Sequence, residues 1–239
     1  MRFQADRVRS RMSALLYVAP KKKQAMTTGD GDVLRGREPT QMGWYEFASA
    51  LAQGGTVLDV GCGSGEGLKV LGARSRKAVG IDLDERLRRL DLDIQIKNIT
   101  AIPDRSFDVV VCIDVIEHVE TDQEFVENLA RVARRLVFVS TPNFAVSRNR
   151  HRYHVREYLP DEFVQLFSRY GRIVLFGGDS TGYVRQVIRR RFVYFALNRL
   201  YALRITLILA KILKRLLFLR VWPHHAVVVT VDGTVTPPR

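Results

Sequence analysis

The chain has 239 residues, and at 46% hydrophobic it has ample apolar content for one globular domain with additions. A formal net charge of +13 would suit nucleic acid, but residues 185–220 hold +10 of it with no acid, and residues 1–23 hold +6. The remainder is near neutral, which argues against a nucleic-acid enzyme carrying its charge around a cleft. Cys62 and Cys112 lack disulfide-type or metal-type spacing and read as reduced thiols in a cytosolic protein. Arginines spread through the start, with no apolar run after them, give no sign of a signal peptide.

In chain order, residues 1–39 read as a basic arm with a glycine-containing stretch. Residues 41–53 predict a helix carrying Trp44, Tyr45 and Phe47. Strands are predicted at about 56–60, 77–81, 93–97, 107–113 and 135–140, with helices near 66–73, 84–90 and 121–134. Thr121 and Glu124 have the spacing of a capping box. Pro160 is placed to open a helix over 161–170. Residues 172–176 and 226–231 read as the last two strands. Alternating strands and helices predict a parallel sheet with helices on both faces.

Val57-Leu58-Asp59-Val60 ends in Gly61-Cys62-Gly63-Ser64-Gly65, a strand breaking into a turn with glycine at every second position. Glycine accepts positive φ and lets a ligand lie against the backbone, so strand, turn and helix start form a nucleotide-type binding corner. The D-x-G-x-G-x-G pattern resembles motif I of class I S-adenosylmethionine (SAM) dependent methyltransferases. Lys77–Asp82, Ile96–Thr100 and the block Ser106–Val119, with its Ser-Phe-Asp-Val-Val and Glu-His-Val, continue that resemblance in order. It covers roughly residues 40–180 plus a last strand near 226–231. It implies a Rossmann-like, seven-stranded, mostly parallel sheet with an antiparallel last strand, and SAM as cofactor. Asp59, Gly61, Cys62, Gly63 and Gly65 would wall its methionine part. Asp82 would accept from the ribose hydroxyls, and Leu83, Asn98 and Ile99 would flank the adenine, with Asp114 completing the cofactor set.

For chemistry, Glu117 and His118 follow the fourth strand, where open α/β sheets bind ligands. His118 suits a general base or a substrate contact, and equally a structural histidine bridging loops. Tyr153–Tyr158 resembles a block of methyltransferases encoded among glycan and cell-surface biosynthesis enzymes, which puts His154 and Arg156 over the acceptor or in tethering a lid. Trp44 and Tyr45 either close the pocket or pack in the core. Quinone-biosynthesis O-methyltransferases resemble the 114–118 block and use an acid-x-x-Glu-His cluster to hold a divalent metal. The residue types here would fit such an ion, yet three ligands alone do not make a site, and no metal is assigned.

Residues 183–222 read as an insertion between the last two strands. Basic residues interrupt its apolar run, so it is no simple spanning helix. Arg199, Arg204, Lys211, Lys214 and Arg215 share one helical face, opposite Ile205, Leu209, Ile212, Leu213, Leu216 and Leu219. Such a helix can lie on an anionic membrane surface, or simply pack on its own domain. The expectation is a cytoplasmic SAM-dependent methyltransferase, peripheral on the inner membrane face, that O-methylates a small, glycan or lipid-linked acceptor. The alternatives are a quinone or isoprenoid-lipid methyltransferase and a non-catalytic SAM-fold scaffold.

Overall fold

The structure is a computed structural model, and it describes residues 41–87, 91–203 and 220–231. Helix α1 (Met42–Leu51) leads into β1 (Thr56–Val60), α2 (Glu66–Gly72), β2 (Lys77–Asp82) and β3 (Ile94–Ile96). Then come β4 (Phe107–Ile113), α3 (Asp122–Val132), β5 (Ala133–Pro142), the short α4 (Phe144–Ser147) and α5 (Pro160–Phe167). The last elements are β6 (Gly171–Gly178), β7 (Arg185–Val187), α6 (Arg191–Ala202) and β8 (His224–Val231).

The sheet runs β3-β2-β1-β4-β5-β8-β6-β7. Strands β1 to β5 pair in parallel, and β8 is antiparallel to both β5 and β6. Strands buried on both faces need apolar residues on both, and β4 shows it. Val110 and Cys112 face the cluster under α3, α5 and α6, while Val109, Val111 and Ile113 face the one under α1 and α2. The sheet order reverses at the β1–β4 boundary, which leaves a crevice at the carboxyl ends of the strands. Because β8 runs backwards, its first residue, His224, arrives at that same end and pairs with Pro142 and Gly178.

Several expectations need correction. The described sheet has eight strands, not seven, because β7 adds an antiparallel edge to β6. Thr121 makes no capping bond through its side chain. In the region expected to be a helix over 84–90, the Asp84 carboxylate accepts from the Arg86 amide at 3.0 Å and only a 3-10 turn, Glu85–Leu87, is described. Of the two roles open to Trp44 and Tyr45, core packing holds, since both are fully buried in α1. Of the two roles open to the insertion, its start takes packing on the domain: α6 buries Tyr194, Leu197 and Asn198, and the exposed Arg199 pairs with Asp161 of α5 (Nε to Oδ2, 2.7 Å). The remaining basic-face residues named above, Arg204, Lys211, Lys214 and Arg215, lie outside the described residues, as do their apolar counterparts and the arm 1–39.

Candidate active site

The glycine turn after β1 has the backbone its sequence requires. Gly61, Gly63 and Gly65 hold φ of +71°, +55° and +86°, a region costly for residues with a Cβ. A Cβ on Gly61 would meet Val115 Cγ2 at 2.6 Å, and one on Gly65 would meet Leu92 Cδ1 at 2.6 Å, so both press against protein. A Cβ on Gly63 meets nothing within 4 Å, which marks the open side of the turn. The Gly63 amide donates to Asp82 Oδ2 at 3.0 Å, locking the turn to the end of β2. Asp82 Oδ1 accepts from the Leu83 amide at 2.7 Å. Leu83 stands 60% exposed beside it, an apolar surface on the flank expected for adenine.

Other residues of the expected cofactor set make contacts within the protein. Asp59 is fully buried and accepts from the Tyr45 hydroxyl at 3.2 Å, beneath α1. Cys62 is buried against Gly80, so only its backbone belongs to the turn. Asn98 Oδ1 accepts from the Thr100 amide at 3.0 Å, and Ile99 is buried in the core under α3. Asp114 is held by the ends of β5 and β8 and by Gln41. Its carboxylate accepts from Ser140 Oγ at 2.7 Å and Gln41 Nε2 at 2.9 Å, and it lies 3.4 Å from His224 Nε2. Burial would raise its pKa, but the His224 charge and these bonds outweigh it and hold it at about 2. His224 moves the other way: burial opposes, and Asp114 raises it.

Beyond Asp114, a 3-10 turn (Ile116–His118) brings Glu117 and His118 to the loop after α4. The Glu117 carbonyl accepts from the amides of Val155 at 2.8 Å and Arg156 at 3.1 Å, which pins that loop. Glu117 is 1% exposed. Its Oε2 accepts from Thr141 Oγ1 at 3.1 Å, while Oε1 has no partner among the described residues. Burial, reinforced by Asp114, raises its pKa well above the carboxylate range. His118 Nδ1 meets the Tyr153 carbonyl at 3.1 Å, and burial together with the His154 charge pushes it down to about 4. His154 is buried, its Nδ1 2.6 Å from Glu157 Oε1, with its ring 4.9 Å from that of His118. One ligand atom from each of Glu117, His118 and His154 lies within 4.8 Å of the others. Arg156 tethers the loop by pairing with Asp122 at 3.2 Å.

The three residues expected to carry chemistry are therefore together. Sequence reasoning missed Ser140, Thr141, Glu157 and His224. The first two close β5, and a strand whose residues alternate sides offers them from one end. His224 was hidden because Pro223-His224-His225 reads as a loop.

A family profile described as "Methyltransferase domain" matches residues 35–171. A "Probable S-adenosylmethionine-dependent methyltransferase" of Mycolicibacterium smegmatis is 34% identical over 142 residues, covering 53% of this chain and 55% of that protein. A ubiquinone biosynthesis O-methyltransferase of Bordetella parapertussis is 33% identical over 123 residues, 44% of this chain and 50% of that protein. The chain thus spans about half the length of the curated relatives it matches. Among solved structures, a SAM dependent methyltransferase of Archaeoglobus fulgidus shares the fold, with a TM-score of 0.54 at 15% identity, covering 78% of this chain and 94% of that one. The profile spans more than half the chain, over the glycine turn, Asp82 and the Glu117–His118 turn, and the chain belongs to the methyltransferase-domain family, as a class I member whose cofactor is S-adenosylmethionine.

Proposed function

We propose that this chain transfers a methyl group from SAM to a hydroxyl of a small or lipid-linked acceptor, in glycan or cell-surface biosynthesis at an anionic membrane face. A sulfonium is already an activated leaving group, so the protein's task is mainly to position donor and acceptor in line. The observation that carries the reading is the glycine turn locked to Asp82, with Gly63 open to a ligand, set across the carboxyl end of the sheet from Glu117, His118 and His154. The wall of Asp114, Ser140, Thr141 and His224, its Ser140 and Thr141 fully buried, stands at the ends of β4, β5 and β8 and suits a polar acceptor. The membrane part rests on the cationic stretch 185–220 and on Phe192, 91% exposed at the start of α6.

A second reading, methylation of a quinone or other isoprenoid lipid, draws on the resemblance to the Bordetella enzyme. Both readings share the cofactor site. Calorimetry should show SAM binding that Asp82→Ala weakens more than tenfold, through loss of both the ribose acceptor and the Gly63 lock; unchanged affinity would sink the cofactor map. Methyl-labelled SAM with a cell extract should place label in the lipid or polysaccharide fraction. Label in nucleic acid or protein would overturn the acceptor class, and label in the quinone pool would select the second reading.

A further inference from the structure

We propose that Glu117, His118 and His154 form a binding site for one divalent first-row transition ion. The argument starts from hydrogen-bond supply. A backbone carbonyl only accepts, so the His118 Nδ1 facing the Tyr153 carbonyl carries the proton, and its Nε2 keeps the lone pair. The same holds for His154. Glu157 also accepts from the Asn149 amide at 2.5 Å and from Ser147 Oγ, so its carboxylate is an acceptor and His154 Nδ1 donates to it. Two imidazoles are thus fixed in the tautomer a metal requires, one by a carbonyl and one by a carboxylate, which are the outer partners that orient metal-binding histidines. Glu117 offers a ligand atom within 4.8 Å of theirs, and its Oε1 is a buried carboxylate oxygen with no partner among the described residues. Leaving such an atom unpaired is costly, and an ion bridging it to two imidazole nitrogens removes that cost. Two histidines and one carboxylate suit zinc, iron, cobalt or nickel over magnesium or calcium.

The set differs from an acid-x-x-Glu-His cluster. Asp114 is held by Ser140, Gln41 and His224, and the third ligand comes instead from the loop after α4. When bound, such an ion would polarise an acceptor oxygen and lower the pKa of its hydroxyl. The chain's own part is to preset both tautomers and to hold the loop through the Glu117 carbonyl.

The test is metal binding by the whole chain, independent of any acceptor. Chelator-stripped protein titrated with cobalt(II) should develop visible d–d absorption saturating at one ion per chain, and zinc should displace it. Glu117→Gln and His154→Ala should each lower affinity by more than tenfold, and Glu157→Gln by about tenfold through loss of the outer partner. Asp114→Asn, which removes a nearby charge but no ligand, should lower affinity by less than Glu117→Gln does. X-ray absorption of the zinc-loaded wild type should show two imidazoles in the first shell, at about 2.0–2.1 Å; this readout stands even where a variant fails to fold. Saturation at zero ions, or a shell without imidazole, overturns the site. An Asp114→Asn loss equal to that of Glu117→Gln overturns this ligand set.

Discussion

His225 shows how far burial governs single residues here. It is fully buried, its Nε2 2.8 Å from the Tyr194 hydroxyl. Burial raises the Tyr194 pKa, so the hydroxyl stays protonated and donates to the ring. Burial, aided by the His224 charge, pushes His225 down to about 3 from an ordinary 6.5. Between those values the unfolded chain binds a proton that the folded chain refuses. Stability is therefore fully present above 6.5 and falls as pH drops toward 3, at up to about 1.4 kcal/mol per pH unit. Denaturation midpoints measured from pH 7 to 5 should show that slope, and His225→Asn should flatten it by about 1 kcal/mol per unit. An equal slope in the variant would mean that His225 is protonated in the fold.

At the scale of elements, glycines decide how closely α1 and α2 approach. A Cβ on Gly67, at the start of α2, would fall 2.1 Å from Tyr45 Cζ. No ring fits there, so Gly67→Ala should destabilise by about 1–3 kcal/mol. It should also lift the Tyr45 hydroxyl off Asp59 and weaken SAM binding by shifting the glycine turn. A melting temperature within a degree of wild type would contradict this packing. Such contacts explain what was legible. The strands β1 and β4 appear with the bounds that their apolar runs predict, because strands buried on both faces leave no other pattern. The edge strand β7 was not legible. Arg185, Gln186 and Val187 are all exposed, and only pairing with Phe176–Gly178 makes them a strand. In the site, the turn glycines and the Glu117–His118 pair were legible as motifs. The pairing of Asp114 with His224 was not, since the two are 110 residues apart in the chain and an antiparallel strand brings them together.

For the whole molecule, the proposed membrane contact calls for a surface that could make it. No helix among the described residues is long and apolar enough to cross one. Deleting 185–220 would be a poor test, because α6 is built into the fold. Asn198 accepts from Asn143 at 2.8 Å, and Arg148 bonds the carbonyls of Tyr201 and Ala202 at the helix end. Point changes on the outer side are cleaner. Arg191 is tied to the Ile173 carbonyl, whereas Arg189 and Arg190 are exposed just before α6, with Phe192 exposed two residues on. Cations next to an exposed aromatic fit an anionic interface, where headgroups meet the charges and the ring enters the acyl boundary. Burying one Phe is worth about 1.5–3 kcal/mol, so Phe192→Asp should lower partitioning onto anionic liposomes by at least tenfold. Arg189→Gln with Arg190→Gln should weaken it further, and added salt should weaken the wild type. A Phe192→Trp probe should shift its emission to the blue on anionic vesicles and not on zwitterionic ones. Unshifted emission, together with sedimentation indifferent to Phe192→Asp, would remove the start of α6 from the proposed membrane contact.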